Sequence, residues 1–166
     1  MTTDTDRKKE LLQKLYRLFS IRQRSEKEVI DYFGSKNYEL KILGKQQIDQ
    51  NTIDWLIDTL KQQNLINDLE FAKNWVEVRS KKKGLKVIKY ELLQKGIDAE
   101  IVSSVMNQIL GAEEQKTAEY LLEKKMRIWK NLPILEFKKK AYEFLMRRGF
   151  EYEVVKEVVD KIIKLG

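Results

Sequence analysis

The feature that most constrains this chain is that it repeats itself. Ile88, Leu92, Gly96, Ile97, Glu100, Ile101, Val105 and Ile109 recur 53 residues later as Ala141, Leu145, Gly149, Phe150, Glu153, Val154, Val158 and Ile162, with no gap. The apolar members fall at helical steps on either side of a shared glycine. A glycine there supplies the left-handed C′ conformation that ends a helix at little cost. The pattern therefore predicts helix, glycine stop, helix, twice over. The same frame fits less well earlier: Val29, Phe33, Asn37 and Tyr38 stand where Ile88, Leu92, Gly96 and Ile97 stand, and the third helix, starting near Thr52, arrives about eleven residues late.

Each copy reads as three helices. In the second, Asp68 is placed to cap a helix running through Phe71, Ala72, Trp75 and Val76 to Arg79, with Phe71, Trp75 and Val78 as its apolar stripe. The next helix spans about Lys83 to Lys95 and stops at Gly96, after which Asp98 caps the third. In the last copy Pro133 sits at a first helical position and Gly149 repeats the role of Gly96. In the first copy Ser25 and Glu28 form a capping box. Other apolar stripes are Leu11, Leu15, Leu18 and Phe19; Ile53, Leu56, Ile57 and Leu60; Leu121, Met126 and Trp129; and Val154, Val158 and Ile162. The segment 36–50 predicts an extended helix or an ordered loop. Short helices cannot bury a full face alone, but stacked copies share a continuous core. The expected architecture is all-α: three tandem three-helix repeats stacked into an elongated, curved array. Its parts are a disordered N-terminus (1–6), repeat one (7–66, with an insertion around 38–50), repeat two (67–111) and repeat three (112–166).

Composition agrees and narrows the chemistry. Seven Gly and one Pro in 166 residues are too few for the tight turns of a sandwich or barrel. There is no Cys and no His, which removes thiolate and imidazole chemistry and the usual zinc sites. No isolated carboxylate pair suggests acid–base work, and Lys83-Gly84 lacks the spacing and preceding strand of a phosphate loop. The expectation is a binding protein and no enzyme, with no cofactor and no metal. No run approaches a membrane span, and Met1 to Asp6 has no apolar stretch of a secretory signal, so a soluble cytoplasmic monomer is expected. Net charge is +7, spread as +2, +2 and +3 over 1–66, 67–111 and 112–166. Such an excess suits nucleic acid or an acidic protein surface, and equally suits solubility.

Several strings carry a family likeness: Arg22-Gln23-Arg24-Ser25, Asn67-Asp68 with Phe71-Ala72, Arg79-Ser80 followed by Lys83-Gly84, Glu91 to Ile97, and Arg147-Arg148-Gly149-Phe150. Together they resemble the RecX family of bacterial recombination regulators, from about Leu11 to Ile163. The resemblance implies a curved array of three three-helix repeats without catalytic residues. It also implies a partner, the RecA filament on single-stranded DNA, whose groove the protein occupies, most often inhibiting strand exchange and so affecting recombination, DNA repair and the SOS response. Asn37 stands where the family pattern expects Gly, a substitution Asn tolerates because it enters the left-handed region.

Three basic clusters are the candidate partner-binding or DNA-binding residues. Arg79, Lys81, Lys82, Lys83, Lys86 and Lys89 form an acid-free stretch; it reads either as a surface for phosphates or filament carboxylates, or as a solvated helix junction. Lys138, Lys139, Lys140, Arg147 and Arg148 form the second, diluted by Glu136 and Glu143. Arg22 and Arg24 form the third; Arg79 stands in a place similar to Arg22, and these arginines read more readily as internal braces. Trp55, Trp75 and Trp129 read as core more than as stacking platforms, with Tyr16, Tyr32 and Tyr120 the exposed candidates. The rival reading is a general DNA-binding helical protein that contacts phosphates through these clusters.

Overall fold

The computed structural model describes residues 4–109 and 111–165. Among them are nine α-helices and no strand: α1 (Asp4–Ile21), α2 (Glu26–Ile42), α3 (Gln50–Gln62), α4 (Asp68–Arg79), α5 (Leu85–Gln94), α6 (Ala99–Met106), α7 (Gly111–Trp129), α8 (Ile134–Arg147) and α9 (Tyr152–Leu165). They form three successive groups of three. The chain divides into two compact units, one built on α1–α3 with the start of α4 and the Lys95–Ile97 turn, the other on the rest of α4 and α5–α9.

The first unit closes on Leu11 and Leu15 of α1, Val29 and Phe33 of α2, and Ile53, Leu56, Ile57 and Leu60 of α3, joined by Ile48 and Ile66. Residues 4–6, expected to be disordered, form the first turn of α1, where Asp4 and Asp6 favour the helix N-terminus; residues 1–3 lie outside the described residues. α2 opens on the capping box: Ser25 Oγ accepts from the Glu28 N–H, and Glu28 accepts from the Ser25 N–H at 3.2 Å.

Asn37 does not end α2. The helix continues to Ile42, and the left-handed stop falls at Gly44 (φ 63°), seven residues later, so the insertion begins as two further helical turns. Inside the helix Asn37 turns its amide outward. Its nitrogen donates to Ile48 O (2.8 Å) and its oxygen accepts from Ile48 N (2.7 Å), anchoring the following loop, which Arg7 also holds through Gln46 O (3.1 Å). The segment is thus extended helix first and ordered loop second. Asp49 caps α3, accepting from Thr52 N. An asparagine does take the left-handed role, but it is Asn64 (φ 56°), at the end of α3.

The second unit closes on Ala118, Leu121 and Leu122 of α7, Ala141 and Leu145 of α8, and Val155, Val158, Val159 and Ile162 of α9, with Phe150 between the last two helices. Gly149 (φ 85°) makes the stop the repeat predicts, as Gly96 (φ 74°) does in the first unit. Three local expectations need correction. In α4 the buried residues are Phe71, Ala72 and Val76, while Val78 faces solvent at 64% exposure. Pro133 is the N-cap of α8, one residue before the helix proper. α6 ends at Met106, so Ile109 is not helical although its counterpart Ile162 is.

Asp68 is not the N-cap of α4 either. Asn67 holds that place: its carbonyl accepts from Phe71 N (2.9 Å) and its side chain from Glu70 N (3.0 Å). Asp68 instead caps a different helix, accepting from Glu26 N at the start of α2 (3.0 Å). There Ser25 Oγ also donates to Lys95 O (2.7 Å), and a Cβ on Gly96 would lie 2.5 Å from Lys27 Cβ. The second unit contains the same joint. Glu114 of α7 accepts from Leu85 N at the start of α5 (2.9 Å), Gly84 N donates to Arg148 O (2.9 Å), and a Cβ on Gly149 would lie 2.4 Å from Val87 Cγ2. In both joints a carboxylate from another helix supplies the missing acceptor for an orphan N–H. A glycine stop makes room for the neighbouring element, the Lys27 side chain at Gly96 and the backbone of Gly84 to Val87 at Gly149. Burial pushes the Asp68 and Glu114 carboxyls up, and the accepted N–H partly offsets this in each.

Candidate nucleic-acid interface

The joint in the second unit also assembles the candidate site. Gly84 N bonds Arg148 O, and Lys86 N bonds Gly149 O at 3.2 Å. These bonds draw the basic turn after α4 onto the basic end of α8, sixty-odd residues away in sequence. The result is a cleft of about 740 Å³. Arg79, Lys82 and Lys83 reach it from α4 and the turn; Lys140, Glu143, Phe144, Arg147 and Arg148 from α8 and its cap; Lys125 and Trp129 from α7. Seven cations meet one carboxylate, so the cleft attracts anions.

Its floor is organised by ring and guanidinium contacts. Trp129 and Phe144 meet edge to face, centroids 5.9 Å apart at 89°. Lys125 Nζ lies 5.4 Å from the Phe144 ring and 5.9 Å from Trp129. Arg148 lies 4.7 Å over Phe144 and donates to Lys82 O at 3.0 Å. Among the described residues, only Arg79 and Lys140 of the seven cations enter ion pairs. Lys140 reaches Glu136 at 3.3 Å. Arg79 grips Glu91 through two nitrogens, and the Trp75 indole donates to the same carboxylate at 2.9 Å. Burial pushes the Glu91 carboxyl up, but the hydrogen bonds from Arg79 and Trp75 outweigh it and hold it below the ordinary range. Arg79 is therefore a half-neutralised wall of the cleft, and the cleft's charge outside ion pairs lies with Lys82, Lys83, Lys125, Arg147 and Arg148.

The remaining candidates are elsewhere. Lys81, Lys86, Lys89 and Lys139 are exposed but do not line the cleft. Lys138 faces Asp160 at 3.5 Å. In the first unit Arg22 forks onto Glu28 (3.0 and 2.9 Å) and Arg24 donates to Leu18 O (3.4 Å), so both act as internal braces. Sequence reasoning missed Lys125, Trp129 and Phe144. The available signal was helical spacing of a cation and a ring: Lys125–Trp129 at i, i+4 and Phe144–Arg148 at i, i+4. The core reading of the tryptophans holds for Trp129, which packs half-buried against the second core, edge-on to Phe137 and Phe144; Trp75 is half-buried and Trp55 is 43% exposed. Tyr16 and Tyr120 are exposed, whereas Tyr32 packs on the first core, edge-on to Phe33. No group of three metal-binding side chains occurs among the described residues, and no described helix is long and apolar enough to cross a membrane.

Comparisons with known proteins address the family directly. Residues 67–106 match the family description "RecX, second three-helix domain", and residues 112–159 match "RecX, third three-helix domain". The Regulatory protein RecX of Streptococcus agalactiae serotype V is 34% identical over 146 residues, covering 86% of this chain and 52% of that protein. That of Clostridium tetani is 34% identical, covering 84% and 61%, and that of Oceanobacillus iheyensis 31% identical, covering 93% and 55%. The chain thus spans about half to three-fifths of the length of the curated relatives it matches. Among solved structures, RecX from Lactobacillus salivarius superposes with a TM-score of 0.75 at 24% identity, covering 95% of this chain and 97% of that one. That likeness extends the shared fold to nearly the whole chain. The two matched domains and the identity to named relatives lead to one conclusion: this chain belongs to the RecX family of regulatory proteins.

Proposed function

We propose that this chain is a non-catalytic regulator of RecA, acting as an inhibitor. It binds in the groove of the RecA filament on single-stranded DNA and so restrains recombination and the SOS response in the cytoplasm. Family membership supports the regulatory role. The observation that carries the binding face is the cleft of the second unit, where two basic segments remote in sequence converge with a single acid among them. A filament offers the same anionic surface many times over, so a modest contact can be reinforced by others along the polymer.

The test is co-sedimentation with RecA filaments on single-stranded DNA, together with strand exchange, at moderate salt. The chain is expected to co-sediment and to slow exchange. The double reversal Lys82→Glu, Arg147→Glu should weaken co-sedimentation by about tenfold or more, while reversal of Lys139, outside the cleft, should change it little. Absence of co-sedimentation by the unmodified chain would sink the proposal.

A further inference from the structure

We infer that the cleft of the second unit grips a single nucleic-acid strand directly, seating one unstacked base against Trp129 and Phe144 while Lys82, Lys83 and Arg147 hold the adjoining phosphates. The inference deepens the reading above by naming what fills the cleft, but it does not require RecA.

Charge alone leaves the occupant open between nucleic acid and an acidic peptide. The rings decide it. Trp129 and Phe144 pack against the second core, yet stay only half-buried and line the same cleft as the cations. The Asp and Glu side chains of an acidic peptide would engage the cations but bring no π-face to the two aromatic walls. A duplex keeps its bases stacked inward and presents phosphates, so it too would leave the rings unused. A single strand presents both a phosphate row and free π-faces, and bases stack on aromatic side chains whatever their sequence. Size points the same way: at about 740 Å³ the cleft is in the range of small-molecule sites. It can take a nucleotide or two, not the width of a duplex.

The cleft is also prepared in advance. Arg148 is held from two directions, over the Phe144 ring and by Lys82 O. Lys125 is stationed beside both rings. A planar guanidinium fixed on an aromatic face extends the stacking platform and supplies charge beside it. Ordering these side chains is part of the fold, so it does not have to occur on binding. Glu143 is the one acid lining the cleft; it penalises phosphates close to it and so biases where the strand can lie.

The experiment uses the full chain without RecA. Fluorescence anisotropy would compare a labelled oligothymidylate, an abasic deoxyribose-phosphate strand of equal length and a duplex of equal length. Oligothymidylate is expected to bind roughly tenfold more tightly than the abasic strand, the effect of about one stacked base, and more tightly than the duplex. Trp129→Leu should erase the difference between thymidylate and abasic strands while leaving abasic binding in place; Trp129→Phe, which keeps a ring, should restore most of it. Arg147→Glu should weaken both strands together. Circular dichroism checks that each variant is folded, and Trp129→Phe serves as the reporter should the leucine variant fail to fold. Equal affinity for thymidylate and abasic strands would overturn the inference. So would duplex binding as tight as single-strand binding, or displacement of the oligonucleotide by polyglutamate as readily as by unlabelled strand. Loss of RecA co-sedimentation with strand binding intact would defeat the proposed function alone; the converse result would defeat this inference alone.

Discussion

Glu28 shows how much a single side chain can carry in a small helical unit. It accepts two hydrogen bonds from Arg22, one from Lys95 at 2.6 Å and one from the Ser25 N–H. Burial pushes its carboxyl up, but the bonds from Arg22, Lys95 and Ser25 outweigh this and bring it down to about 2 from an ordinary 4.5. A folded-state value below the unfolded one means stability that is present above about pH 4.5 and lost as pH falls toward 2. The size is on the order of 2–3 kcal/mol, and the side chain is only 15% exposed, so solvent screening removes little of it. Glu28→Gln should therefore destabilise the protein by about that amount at pH 7, and the gap to the unmodified chain should narrow by pH 3, as measured by urea unfolding. Asp68 and Glu114 act with the opposite sign: their raised carboxyls make ionisation unfavourable in the folded state, a cost relieved as pH falls. The difference between variant and parent, in which those terms cancel, is the quantity to read. The capping box half of this arrangement was legible as Ser25 and Glu28 three residues apart. The Lys95 half was not, because it depends on a contact 67 residues away.

At the scale of elements, periodicity located helices well and their ends less well. The frame that related Val29 and Phe33 to Ile88 and Leu92 is sound, since all four are buried. It then assigned Asn37 to the stop held by Gly96 elsewhere. Apolar spacing is the same whether a helix ends at residue 37 or runs on to Ile42, and Asn is compatible with both. The two alternatives respond oppositely to one substitution. At a left-handed stop Asn37→Gly would stabilise; inside α2 it costs helix propensity and the bonds to Ile48. The expected result is destabilisation of about 2 kcal/mol, with faster hydrogen exchange at the Ile48 amide. Gly44→Ala makes a useful comparison: its φ is 63° but a Cβ there meets nothing within 4 Å, so the cost should be the backbone strain alone, about 1 kcal/mol. Gly84 was legible only as part of a family string. Its reason is steric, for a Cβ would sit 2.3 Å from the Gly149 carbonyl.

At the scale of the whole molecule, the internal repeat was legible because Gly96 and Gly149 are each required twice over, for a positive φ and for close approach to the next element. The convergence of the basic clusters was not. Charge runs at 79–89 and 138–148 look alike along the chain, and only the Gly84–Arg148 and Lys86–Gly149 bonds select which of their members meet. This makes the joint, more than any lysine, the determinant of the cleft, and Gly149→Ala tests that dependence. The alanine would carry a positive φ and press on Val87, including its backbone nitrogen at 2.7 Å, a cost of at least about 2 kcal/mol. The turn carrying Lys82 and Lys83 should then separate from the end of α8, and affinity for oligothymidylate should fall although every charged residue is retained. Stability in repeat arrays is set by each unit and its neighbours, so hydrogen exchange should quicken in α5, α8 and α9 while the amides of α1–α3 keep their protection. Uniform acceleration along the chain would mean that the two units unfold as one. Unchanged oligonucleotide binding would mean that the basic segments reach their partner without the joint that brings them together here.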